Sequence, residues 1–213
     1  MSGMAEASTV SRDTPKSRRT RARILDEAVR VIAEQGYAAT TNAAVAEAAQ
    51  ITRGAMLYHF PTRESLLEAA IEHIQSQRAT LFRDAADSLP PGGDVTEHAI
   101  ETYWDLLHRT PFMAFAELET ASRTDPLVSD LLAPSLAEFD RAQIGDHFLK
   151  MLHAGAGPRF QASRDLARFL LEGMARAQVT YDREERVERL LSVIKRATHM
   201  LNRKGGVTDL WPE

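Results

Sequence analysis

The sequence predicts an all-α protein, a three-helix head joined by a linker helix to a helical body, on three observations. Leu, Ala, Arg and Glu, all good helix formers, recur along the whole chain. Apolar residues return at three- and four-residue spacing, and no stretch of any length alternates as a half-buried strand does. Proline and glycine mostly fall between the periodic segments, where they end helices. With 213 residues and 44% hydrophobic content, the chain can bury one large core or two modest ones.

Residues 1–15 are small, polar and aperiodic, and are expected to form a disordered arm. The basic run Lys16 to Arg23 is expected to order only on a polyanion. Ile24, Leu25, Ala28, Val31, Ile32 and Tyr37 then mark an amphipathic first helix that stops at Gly36, a good left-handed cap. Thr41 or Thr40 caps a short second helix with Val45, Ala46 and Ala49 inward, and Thr52 caps a short third with Met56 and Phe60 inward. Pro61 ends that helix, Thr62 caps the next, and Glu64 suits its positive dipole end. Leu66, Leu67, Ala70, Ile71, Ile74 and Leu81 give the linker helix its apolar face.

Pro90-Pro91-Gly92-Gly93 is the clearest breaker, so a boundary is expected between residues 75 and 93, with a head over 16–75, a body over 76–203 and a tail over 204–213. Helical patterns follow near 94–109, 111–122, 126–153, 163–181 and 184–201, and Pro134 is expected to kink or split the third.

Charge is distributed unevenly. Residues 1–63 hold nine Lys and Arg against six Asp and Glu, a net of +3, and the remainder holds 17 against 24, a net of −7. A basic head on an acidic body approaches phosphates with one end only. The absence of cysteine excludes disulfides, thiolate zinc sites and thiol redox sensing. No run of about 18 apolar residues is present to span a bilayer, and the first 20 residues lack the apolar centre of a secretion signal. A cytoplasmic protein with no membrane partner is therefore expected.

Residues 40–63 carry two short helical patterns, a tight joint and a closing proline, the shape of a helix-turn-helix. The run Gly54-Ala55-Met56-Leu57-Tyr58-His59-Phe60-Pro61-Thr62-Arg63-Glu64-Ser65-Leu66-Leu67, preceded by Thr-Thr and an Ala-rich helix, resembles the TetR family of transcriptional regulators. The resemblance implies a homodimeric repressor, with two reader heads on double-stranded operator DNA and a body whose small-molecule ligand releases them. It places Thr41 and Asn42 at the start of the positioning helix, and Thr52, Arg53, Gly54 and Ala55 at the start of the recognition helix. Arg53 is the base-reading candidate, since its guanidinium fork pairs with guanine O6 and N7. Tyr58, His59 and Arg63 are expected to clamp phosphates. Two positions depart from the family pattern. Leu57 stands where a tyrosine is usual, and Gln50 where the turn usually has glycine.

In the body, soft and aromatic residues nominate an apolar pocket of Tyr103, Trp104, Leu107, Phe112, Phe115, Phe139, Phe169 and Met174, with His108, His147 and Gln178 as polar orienters. Trp104 and Phe112 lead that set, against the alternative that aromatic residues at helical spacing are ordinary core. Leu166, Phe169, Leu170, Met174, Leu190, Leu191, Ile194 and Leu201 line apolar faces of the last two helices, beside small Gly173 and Ala177, and the resemblance assigns these helices to a dimer interface.

Two alternatives stand beside this reading. A DNA-binding module without a ligand predicts a solidly packed body, whereas a sensor should hold a cavity of about 300 Å³ or more. A helical-bundle enzyme draws only on Asp105 with His108 and on Asp146 with His147, without the paired Glu-x-x-His motifs of a bundle metal site. No His-Glu-x-x-His, phosphate loop or Gly-x-Ser-x-Gly is present, so neither catalysis nor a cofactor is expected.

Overall fold

Local capping chemistry sets most helix starts in the computed structural model, which describes residues 14–142, 158–177 and 182–202. Helix α1 (Pro15–Gln35) begins where Thr14 accepts from the Ser17 amide and Pro15 fits the first turn, and it ends at Gly36, whose φ of 87° excludes most side chains. Residues 1–13 of the expected arm lie outside the described residues, and Lys16 to Arg23 are helical in the protein alone, a correction to the expectation that they order on a partner.

Thr41 caps α2 (Asn42–Ala48) by accepting from the Ala44 amide, and Thr52 caps α3 (Arg53–His59) by accepting from the Ala55 amide. Thr40, the other cap candidate, is fully buried and donates to the Gly36 carbonyl at 3.0 Å. A capping box between Thr62 and Ser65 starts α4 (Arg63–Asp87). Asp94 caps α5 (Val95–Leu107), and α6 (Thr110–Ser122) carries Pro111 in its first turn. Helix α7 (Pro126–Ala142) runs through Pro134 without the expected split. Two long helices, α8 (Pro158–Arg176) and α9 (Arg183–Asn202), complete the described residues, among which no strand occurs.

The largest core cluster joins Ile24, Val31 and Ile32 of α1, Val45, Met56, Phe60, and Leu66, Leu67 and Ile74 of α4 to Phe115 and Leu118 of α6 and Leu132 of α7. Head and body thus share one core, and the boundary expected at residues 75 and 76 falls inside α4. Beyond it, Phe82, Leu106 and Phe112 form a second cluster, and Ile100, Ala167, Leu171 and Ile194 a third that joins α5 to α8 and α9. Helix α4 spans from the reader head to the second cluster as one rod, about 37 Å long at 1.5 Å per residue.

Candidate nucleic-acid interface and body cavity

Helix α3 buries Met56, with Phe60 just beyond its end, and turns Arg53, Gly54, Leu57 and Tyr58 outward. Tyr58 is 69% exposed and Leu57 39%, a large apolar exposure for a seven-residue helix. A Cβ added at Gly54 would meet only Thr52 Oγ1 at 4.0 Å, so the fold does not require glycine there. Half-buried Ala55 completes the first turn. His59 is half-buried, edge-on to Tyr58 with centroids 5.1 Å apart. Burial, then the positive charge of Arg21, hold its imidazole below the ordinary histidine range.

The turn between α2 and α3 places Gln50 at φ 52°, the left-handed conformation a glycine adopts freely. The Gln50 and Ile51 amides bond to the Glu47 and Ala46 carbonyls at 3.0 Å, so the glycine-type turn forms despite the side chain.

Two of the expected DNA contacts bond within the head while also lining the open cleft beside Thr41 and Arg53. Arg63 Nε donates to the Thr40 carbonyl at 2.8 Å and its Nη2 to the Tyr37 carbonyl at 2.9 Å, with the guanidinium 4.4 Å from the Tyr37 ring centroid. It fastens the start of α4 to the α1–α2 loop. Asn42 Nδ2 donates to the Phe60 carbonyl at 2.8 Å and ties α2 to the end of α3, while its Oδ1 is buried without a partner among the described residues. Thr41 is exposed and borders one open cleft with Arg53 and Leu57.

One basic residue escaped the site prediction. Arg21 is exposed on α1 with its guanidinium 5.1 Å from the Phe60 centroid, at the end of α3, and Lys16, Arg19 and Arg23 are exposed on the same helix. The basic run was visible in the sequence. Its continuation into α1 was not.

The body holds a cavity of about 100 Å³ between α4, α5, α8 and α9, smaller than expected of a sensor. Of the eight nominated pocket residues whose side chains are described, only Tyr103 lines it. Phe112 is buried against Phe82 and Tyr103, and Phe115 is buried in the main core under the Arg78 guanidinium, at 3.6 Å from centroid to carbon. Leu107, Trp104 and Met174 pack around the third cluster. Trp104 and His108 border a surface pocket with Asp105, Arg183 and Glu184. Phe169 points outward at 63% exposure. His147 and Gln178 lie outside the described residues, as does the side chain of Phe139. The aromatic residues mostly became packing because the helices interdigitate them. Phe82, Ile100, Phe160, Ala167 and Leu171 line the cavity instead, and no local pattern marks them.

A charged network lies between the cavity and the main core. Tyr103 Oη donates to Glu172 Oε1 at 2.7 Å, Arg168 Nε donates to the same oxygen at 2.9 Å, and Arg176 donates to Glu119 at 2.7 Å. Burial holds the Arg78 guanidinium down to about 10 and pushes the Tyr103 phenol well above its ordinary range.

Residues 24–70 match the model of the family described as bacterial regulatory proteins, tetR family. Residues 24–70 thus carry the N-terminal domain of the TetR family. The chain is 29% identical over 133 residues to the HTH-type transcriptional regulator CymR of Pseudomonas putida, covering 62% of this chain and 65% of that protein. It is 30% identical over 100 residues to the HTH-type transcriptional regulator TtgR, also of Pseudomonas putida, covering 46% and 48%. The chain thus spans about half to two thirds of the length of these relatives. The multidrug binding protein EbrR, crystallised with ethidium, has the same fold, with a TM-score of 0.58 and 23% identity over 84% of this chain and 98% of that one. No described helix is long and apolar enough to cross a membrane.

Proposed function

We propose that this protein is a homodimeric TetR-family repressor that binds a palindromic operator in double-stranded DNA and is released by a small molecule held in its body. The observation that carries the reading is the outward face of α3. Arg53, Gly54 and Tyr58 are exposed on a helix start anchored by three threonine caps and the Arg63 strap, the arrangement a major-groove reader requires. In this reading Arg53 contacts a base edge, and Tyr58, Thr41 and the exposed basic residues of α1 contact phosphates.

Dimerisation is supported by the apolar side chains left exposed on the last two helices: Leu166, Phe169 and Leu170 on α8, and Leu190, Val193 and Met200 on α9. A two-fold pair of heads fits half-sites about 34 Å apart. Release is supported by α4. Its first residue, Arg63, is bonded to the head, and Phe82, near its other end, is a wall of the body cavity. A ligand that prefers the operator-incompetent arrangement of this rod shifts the population toward it. EbrR, with the same fold, is a multidrug binding protein.

The test is Arg53→Ala in an operator-binding assay. The expected loss is about 1 to 3 kcal/mol, roughly fivefold to 150-fold in affinity, with relaxed preference at one base step. Unchanged affinity and base preference would remove Arg53 as the reader.

A further inference from the structure

The wall chemistry of the body cavity specifies a class of ligand. Its surface is formed largely by Phe82, Ile100, Phe160, Ala167 and Leu171 with the ring of Tyr103. Most of the polar side chains that reach it are engaged with the protein itself, Thr96 and the amide nitrogen of Asn202 apart. Ser163, 1% exposed, donates to Asn202 Oδ1 at 2.7 Å, Thr198 donates to the Ile194 carbonyl at 2.9 Å, and Tyr103 donates to Glu172 at 2.7 Å. Each of the two wall arginines already has a carboxylate: Arg164 pairs with Asp165 at 2.8 Å and Arg168 with Glu172 at 2.9 Å.

A charged ligand entering this space would lose its hydration and find no uncompensated counter-charge. Apart from Thr96 and the Asn202 amide, a hydrogen-bonding ligand would have to break bonds the protein makes already. An uncharged apolar molecule loses only its contact with water. The space, about 100 Å³ and partly open to solvent, has room for a single aromatic ring.

We propose that the cavity between α4, α5, α8 and α9 is a binding site for a small uncharged hydrocarbon, such as a single aromatic ring of benzene or toluene size, and not for a charged compound. The proposal rests on the ligand-responsive reading for its regulatory meaning, but not for the binding itself. Phe82 carries the consequence, because it belongs both to the cavity wall and to α4.

The experiment compares thermal melts of the full chain with benzene, toluene, p-xylene, benzoate, benzylamine and ethidium, for the wild type, Ala167→Leu and Leu171→Ala. Ala167→Leu fills the cavity and Leu171→Ala enlarges it. The expected result is that benzene or toluene near 10 mM raises the wild-type melting temperature by about 2 °C or more, with no rise from the charged compounds. The rise should vanish in Ala167→Leu, and in Leu171→Ala the preference should move to the larger p-xylene, which keeps the test decisive if either variant folds poorly. A rise from benzoate, benzylamine or ethidium equal to that from benzene, no rise with any hydrocarbon, or a hydrocarbon rise that survives Ala167→Leu would overturn the proposal. Operator binding is measured in parallel. Release by a charged compound without a hydrocarbon shift contradicts the site chemistry and leaves the ligand-responsive reading standing. Hydrocarbon binding without release does the reverse.

Discussion

Arg63 shows how one side chain holds the reader at its working angle. Its two bonds to the Thr40 and Tyr37 carbonyls and its stacking on Tyr37 satisfy backbone acceptors in the loop between α1 and α2. The same tyrosine donates from its hydroxyl to Asp125 at 2.7 Å and from its amide to Glu117 at 3.3 Å, so the loop is fastened to the α6 end of the body as well. Arg63→Ala should therefore cost stability, about 1.5 to 3 kcal/mol for charge-assisted bonds, measured by urea unfolding. A phosphate clamp predicts the opposite pattern, unchanged stability with weakened DNA binding. The caps Thr41, Thr52 and Thr62 were legible in the sequence because a cap needs only its next three residues. The strained turn at Gln50 was legible for the same reason. The bonds of Arg63 and Asn42 were not legible because their partners lie 18 to 26 residues away, a distance no local pattern reports.

At the scale of elements, the contacts of α4, α6 and α8 place charge where a core would ordinarily be apolar. Burial raises the Glu119 carboxyl above its ordinary range, the nearby Glu172 adds to the rise, and Arg176, Arg78 and Arg168 oppose it. A raised carboxyl holds its proton more tightly in the folded chain than in the unfolded one. Its ionisation therefore subtracts stability as pH rises from the unfolded value through the folded one, and the loss persists at neutral pH. Glu119→Gln should match the wild type near pH 4 and equal or exceed its stability at pH 7, as read from urea melts at both values. A loss of more than about 1 kcal/mol at pH 7 would show that the Arg176 pair outweighs the cost of burial. The helices themselves were legible from periodicity, except that α1 began earlier and α7 continued through Pro134. The cavity was not, since four helices each contribute small or aliphatic residues whose spacing also serves plain packing.

Across the whole molecule, the first 63 residues are basic and the remainder acidic, and the exposed apolar stripe on α8 and α9 is the surface on which the proposed homodimer would pair. Phe169, at 63% exposure, contributes little to the monomer's core. Phe169→Glu should leave helicity and melting behaviour near those of an isolated protomer, convert the protein to a monomer by light scattering, and weaken operator binding by about tenfold or more as the second head is lost. A variant that remains dimeric would place the interface elsewhere. The most direct test of the account is a fluorescence-anisotropy titration with the DNA upstream of the protein's own gene, against unrelated DNA of equal length, at two salt concentrations. Tight binding to the upstream DNA alone, weakening steeply as salt rises, is the predicted result. Equal and weak binding to both DNAs would contradict a sequence-reading role for the outward face of α3.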